Sequence, residues 1–228
     1  MRLAVLGGTF NPLHIGHCML AETVVKELHY DKVLFVPSFI PPHKQMNGTV
    51  LPCQRFEMVD AFCKSVSGGG DTVFSADDCE LRREGVSYTY DTVLSVIEKY
   101  GSMLTGKPAI VMGQESAEQF YKWHRADEIA RLTDLVIARR HPDNNGVDVS
   151  RFENRPVGLY TVDFYEGSLK LFSYPHIMLD NPLLPVSSTE IRSRIATGKA
   201  FRYLVPEAVF QYIKEHKLYG MKDEQYCV

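Results

Sequence analysis

The sequence predicts an α/β protein, a Rossmann-like doubly wound parallel sheet with a small C-terminal helical part, and three observations predict it. Short uninterrupted apolar runs, the pattern of strands covered on both faces, alternate with segments of helical period. The first run ends on a glycine pair that leads straight into a helix, the layout of a phosphate-binding turn. The distance to the second run leaves room for one helical crossover, as parallel right-handed pairing requires.

Leu3-Ala4-Val5-Leu6 is the first strand, because no polar residue interrupts it before Gly7. Met19, Leu20, Thr23, Val24 and Leu28 recur at helical spacing and give the first helix. Val33-Leu34-Phe35-Val36 is the second strand and stops at Pro37. Residues 37–44, with three prolines, cannot be regular and form a stiff loop at the strand's carboxyl end, the edge where open α/β sheets bind ligands. Pro52 suits the first turn of a helix to about Val66, with Phe56, Val59, Ala61, Phe62 and Cys63 on its apolar side.

Thr72-Val73-Phe74-Ser75 is a strand, and the acidic run up to Gly85 shows no pattern. Another helix begins in Ser87-Tyr88-Thr89-Tyr90-Asp91-Thr92, buries Val93, Leu94 and Ile97, and closes at Gly101. Ala109-Ile110-Val111-Met112-Gly113 is the fourth strand, and Gln114-Glu115-Ser116 opens a helix with its acid at the positive end of the dipole. Leu135-Val136-Ile137-Ala138 is the fifth strand. Residues 143–168 are polar and glycine-dotted, a long surface excursion, and further short strands fall at Leu169-Lys170-Leu171-Phe172 and Ile177-Met178-Leu179. Ser187 and Glu190 have capping-box spacing ahead of Ile191 and Ile195. One domain is expected over residues 1–220, its helical part at about 187–220, with a tail at 221–228.

Composition narrows the partners. The chain has 228 residues, 45% of them hydrophobic, and a formal net charge of −3, so no global basic field draws it to nucleic acid or an anionic membrane. Small-molecule substrates fit that balance. Cys18, Cys53, Cys63, Cys79 and Cys227 are odd in number and never spaced as C-x-x-C, which favours free thiols in a reducing compartment and disfavours zinc. No segment has a signal-peptide pattern or spanning length, so the expected location is the cytoplasm.

The chemistry concentrates in Gly7-Gly8-Thr9-Phe10-Asn11-Pro12-Leu13-His14-Ile15-Gly16-His17. Backbone N–H groups and the positive end of a helix dipole converge where glycine lets an anion approach, and His14 and His17, three apart, add two imidazole donors. Taken alone, those residues also fit a capped helix start with one core histidine. A second clamp is available at Ser187-Ser188-Thr189-Glu190-Ile191-Arg192, where hydroxyls, N–H groups and a guanidinium crowd one helix start.

Taken whole, the first string resembles the nucleotidylyltransferase superfamily, whose marker is H-x-G-H in the first βα unit, in its branch carrying G-G-T-F-[DN]-P-x-H-x-G-H. His14-Ile15-Gly16-His17 also matches the class I aminoacyl-tRNA synthetase signature, but a K-M-S-K-S loop and the longer chain are absent. Further motifs resemble the bacterial nicotinate-nucleotide adenylyltransferase family: P-P-H-K ending at Lys44, R-x-x-M at Arg55 and Met58, S-Y-T-x-D-T at Ser87, Trp123 after the fourth strand, S-S-T-x-I-R at Ser187, and Y-L-V-P-x-x-V-x-x-Y-I from Tyr203.

The resemblance implies adenylyl transfer from ATP to nicotinate mononucleotide, giving deamido-NAD and pyrophosphate by direct in-line displacement. It assigns His14, His17, Lys44 and Arg192 to catalysis. ATP falls to Gly7, Gly8, Thr9, Phe10, Gly16, His17, Gly113, Glu115, Ser187, Ser188, Thr189 and Arg192. The mononucleotide falls to Thr9, Lys44, Tyr88, Thr89, Trp123, whose indole stacks on the pyridine ring, and Arg140. Mg²⁺ is expected with ATP, held by phosphates and water rather than by a protein cage. The chain departs from the family at Glu115, where aspartate is usual, at His141, inserted into R-R-P-G, and at Val186. Another small-molecule nucleotidylyltransferase, with nicotinamide mononucleotide or pantetheine phosphate as acceptor, is the alternative, beside a non-catalytic nucleotide-binding module. Homo-oligomerisation is left open.

Overall fold

The computed structural model describes residues 1–40, 50–67, 72–139, 169 and 172–222. Six parallel strands form one sheet in the order β3-β2-β1-β4-β5-β6. They are β1 (Leu3–Gly8), β2 (Lys32–Pro37), β3 (Phe74–Ala76), β4 (Ala109–Gly113), β5 (Asp134–Ala138) and β6 (His176–Leu179). Sequence order reverses between β1 and β4, which makes that seam the topological switch point.

Alternate residues of each strand feed two cores, as a period of two requires. Ala4, Leu6, Val33, Phe35, Val111 and Val136 share one face with α1 (Ile15–Leu28), α2 (Pro52–Val66), α7 (Ser188–Ala196) and α8 (Glu207–Glu215). Leu3, Val5, Leu34, Ile110 and Leu135 share the other with α4 (Thr89–Tyr100), α5 (Gln114–Glu118) and α6 (Ala126–Leu132). The expected C-terminal helical part is therefore built into the α1/α2 face, and the Tyr212 hydroxyl hydrogen-bonds Glu57, tying α8 to α2.

Four local expectations are corrected. The third strand starts two residues later than Thr72, at Phe74. The acidic run contains α3 (Cys79–Arg83), and α6 was not foreseen. Leu94 is 42% exposed while Val93 and Val96 are buried, because α4 turns its i, i+3 positions to the core. At Leu169 and Phe172, the described ends of the expected strand, the Phe172 N–H donates to the Leu169 carbonyl at 2.8 Å, closing a turn. Phe172 is held by aromatic packing on Phe120, with centroids 5.6 Å apart, instead of by a strand partner. The 143–168 excursion and the 221–228 tail beyond Lys222 lie outside the described residues.

Candidate active site

The switch point opens because the pairing on its two sides runs further than the pairing across it. β1 pairs with β2 through Gly8↔Pro37, and β4 with β5 through Gly113↔Ala138, but β1 pairs with β4 only to Leu6↔Val111. The glycine ends therefore splay apart. A Cβ built on Gly7 or Gly113 would meet nothing within 4 Å among the described residues, so both strand ends border free space.

The two other glycines of the turn are needed for packing. At Gly8 a Cβ would lie 3.1 Å from the Phe10 ring, which is buried beneath it with Phe10 at positive φ. At Gly16 it would meet His14 Nδ1 at 3.0 Å and Val186 at 3.1 Å, so the glycine of H-x-G-H lets the closing segment seat on the His14 ring. Those contacts put the sequence departure Val186 into the site's wall.

His14 caps α1 in an extended conformation and is buried. Its backbone N–H donates to His17 Nδ1 at 3.3 Å, and the two rings lie 3.8 Å apart, tilted by 32°. Because Nδ1 of His17 accepts a proton bond, the neutral ring carries its own proton on Nε2, which makes Nε2 a donor. Phe10 supports that ring edge-on at 5.0 Å.

The acceptor side of the turn is held by side chains from far along the chain. Arg55 Nη1 donates to the Thr9 carbonyl at 2.7 Å, Arg192 Nη1 to the Asn11 carbonyl at 2.8 Å, and Ser188 Oγ to the Pro12 carbonyl at 2.9 Å. The Tyr219 hydroxyl, pushed up by burial, donates to Asn11 Oδ1 at 2.8 Å. In a planar trans peptide the N–H points opposite the C=O, so holding Thr9 O and Pro12 O aims the Phe10 and Leu13 N–H groups the other way. Ser187 caps α7 by accepting from the Glu190 N–H at 3.2 Å, and Arg192 Nη2 donates to Thr189 Oγ at 3.2 Å. The two segments in which the sequence suggests anion clamps thus meet at one place.

Tyr88 and Thr89 start α4, and the Tyr88 ring lies 4.8 Å from His124, which joins it to the Trp123 segment. Trp123 is half-buried, its indole 5.1 Å from Phe120. Glu115 is exposed in the first turn of α5, directly after Gly113. Arg139, which precedes Arg140 in the R-R pair of its motif, makes an ion pair with Asp180. Lys44 and Arg140 lie outside the described residues.

The sequence places Arg55 only in the R-x-x-M motif and Asn11 only within the first string, with no role for either, and gives no sign of Tyr219. Arg55 had a signal: Arg55, Met58, Val59 and Phe62 fall on one helical stripe, which places a guanidinium on the buried side. Tyr219 had none, since its partner lies 208 residues away. Burial pushes the thiols of Cys18, Cys63 and Cys79 up to about 12, which keeps them in the less nucleophilic thiol form near neutral pH.

A six-stranded parallel sheet whose glycine-lined switch point faces two histidines defines a nucleotide-binding protein of the doubly wound class. Residues 5–194 match the family described as cytidylyltransferase-like, and the chain belongs to that family. A relative from Treponema pallidum (strain Nichols), named "Probable nicotinate-nucleotide adenylyltransferase", is 37% identical over 220 residues, covering 96% of this chain and 99% of its own. One of the same name from Borreliella afzelii (strain PKo) is 35% identical over 222 residues, covering 97% and 98%. Among solved structures, the nicotinic acid mononucleotide adenylyltransferase of Plasmodium falciparum, complexed with NaAD, matches with a TM-score of 0.69 at 17% identity, covering 98% and 99%. That likeness bears out the fold. No helix among the described residues is long and apolar enough to cross a membrane.

Proposed function

We propose that this chain catalyses adenylyl transfer from ATP to nicotinate mononucleotide, yielding deamido-NAD and pyrophosphate in NAD biosynthesis. The observation that carries the reading is the joining of the two clamps through Arg192–Asn11 and Ser188–Pro12 at the switch point. One assembly of that kind can hold an attacking phosphate and a triphosphate in line. The choice of nicotinate rests on the names of relatives that share 35–37% identity over nearly the full length.

An oxygen of the mononucleotide phosphate attacks the α-phosphorus of ATP, the bond from that phosphorus to the bridging oxygen breaks, and pyrophosphate leaves. His17 Nε2 and the N–H groups of the turn stabilise charge on the transferring phosphate, and Arg192 stabilises it on the leaving pyrophosphate. Positioning supplies most of the rest. The donors around the turn are N–H groups, imidazoles and a guanidinium, a set suited to phosphate oxygens. Mg²⁺ belongs with ATP, as part of the substrate. Tyr88, Thr89 and Trp123 receive the mononucleotide, and Lys44 and Arg140 keep the roles their motifs imply. The setting is cytoplasmic and the partners are small molecules.

The experiment is pyrophosphate release from Mg-ATP with nicotinate mononucleotide, nicotinamide mononucleotide and pantetheine phosphate in turn. Release with the first at least about tenfold faster than with the others supports the reading. Preference for another acceptor, or no release with any, overturns it.

A further inference from the structure

We propose that Arg55 is a positioning residue that sets the separation of the two substrate sites, an inference that rests on the reading above and deepens it. Its guanidinium is fully buried, 0% exposed, and spans two segments: Nη1 donates to the Thr9 carbonyl at 2.7 Å and Nη2 to the Phe39 carbonyl at 3.1 Å. Thr9 belongs to the histidine turn. Phe39 lies on the loop after β2, and its N–H donates to Ser87 Oγ at 2.9 Å, while the Ser87 N–H donates back to the Ile40 carbonyl at 2.9 Å. Ser87 directly precedes Tyr88 and Thr89.

A continuous set of short polar contacts therefore runs from the ATP turn through Arg55 and Phe39 to the mononucleotide segment. Its far end is anchored as well. Thr92, in the first turn of α4, donates to buried Glu80 at 2.5 Å, so the helix that begins with Thr89 cannot slide without breaking a buried bond. An arginine is held here at a cost. Burial lowers its pKa and Nε has no hydrogen-bond partner among the described residues, and an apolar side chain of similar volume would avoid both penalties but leave the Thr9 and Phe39 carbonyls without these donors. What the apolar side chain lacks is a planar fork with donors that reach two carbonyls at once. In-line transfer depends on the distance between attacking oxygen and phosphorus, and an error near 1 Å costs roughly 10²-fold.

The test compares Arg55→Lys, Ser87→Ala and the double variant with wild type, after melting curves establish folding. Lysine keeps the charge but gathers its donors at one point. Arg55→Lys is expected to lose about 10- to 100-fold in kcat, while nicotinate mononucleotide and a non-hydrolysable ATP analogue, each titrated alone, bind within about threefold of wild type. The double variant should match Arg55→Lys within about threefold, because both residues act through the Phe39 peptide. A folded Arg55→Lys with kcat within threefold of wild type overturns the proposal, as do multiplying losses or binary affinities that fall in step with kcat. If Arg55→Lys does not fold, Ser87→Ala decides alone by the same split between kcat and binary binding, with about fivefold as the expected loss. Hydrogen exchange separates this inference from the functional reading. Should wild type fail to release pyrophosphate with any of the three acceptors, that reading fails, yet faster exchange in both 9–17 and 86–92 of a folded variant still supports Arg55 as the tie, and a change confined to one of them overturns it.

Discussion

Arg192 reaches across 181 positions of sequence to donate through Nη1 to the Asn11 carbonyl at 2.8 Å. That contact holds α7 against the histidine turn, so the starts of two helices lie side by side. With Nη2 on Thr189 Oγ at 3.2 Å, both terminal nitrogens of the guanidinium have partners in the protein, which sets its geometry. Lysine at this position preserves the charge and loses the fork. Arg192→Lys is expected to reduce kcat/KM for ATP by at least about tenfold, with melting temperature within a few degrees of wild type. Unchanged ATP kinetics would make Arg192 a structural tie alone.

His17 presents Nε2 as a donor because its Nδ1 is occupied by the His14 N–H. Removing one preorganised donor of this kind costs roughly two to three decades in turnover. His17→Ala should show that loss in kcat with a native circular dichroism spectrum. Turnover within about threefold of wild type would remove His17 from the chemistry.

Trp123 is half-buried against Phe120, so part of its indole serves the core and part is accessible. Stacking on the pyridine ring is worth roughly 1 to 3 kcal/mol by alanine substitution. Trp123→Ala should raise the apparent constant for nicotinate mononucleotide by about one to two decades and leave that for ATP nearly unmoved. Because Trp123 is the sole indole, wild-type fluorescence should be quenched by the mononucleotide without ATP. Equal loss for both substrates, with a melting drop of the size a core truncation of roughly 3 to 5 kcal/mol produces, would return it to the core.

Away from the site, Asp77 accepts from Lys99 at 2.6 Å and from the Cys79 N–H at 2.9 Å. Burial pushes the Asp77 carboxyl up, but these hydrogen bonds and the Lys99 charge outweigh it and hold the group below its ordinary value. A depressed carboxyl contributes stability that is present above the unfolded value of about 3.9 and is lost as pH falls through the folded value. Lys99 is raised by the same bond, so its share is present below about 10.4 and is lost as pH rises through the folded value. Asp77→Asn should therefore lower stability by about 1.5 to 3 kcal/mol at pH 7, the range for hydrogen bonds to a charged group, with the gap closing below about pH 4. A gap independent of pH would show that packing, not charge, holds α3 against α4.

How much of this was legible in the sequence follows the range of the interactions involved. The strands were readable because apolar runs such as Val33 to Val36 are local patterns, and the Ser187–Glu190 cap was readable because its bond spans three residues. α3 and α6, of five and seven residues, are too short for periodicity to stand out. Leu169 to Phe172 reads as a strand because apolar residues cluster there, whereas Phe172 packs its ring on Phe120, a contact that local pattern does not show. The residue types of the site were visible in two separate strings. Their union was not, since Arg55–Thr9, Ser188–Pro12 and Tyr219–Asn11 span 46, 176 and 208 positions.

Direct transfer of the adenylyl group to nicotinate mononucleotide is tested most directly by following label from ATP carrying radioactive α-phosphorus. Wild-type protein with Mg-ATP and nicotinate mononucleotide should move the label into deamido-NAD, mole for mole with pyrophosphate, and leave denatured protein unlabelled at every time point. Label that stays in ATP would contradict the acceptor, and label trapped on the protein ahead of product would contradict the single in-line displacement.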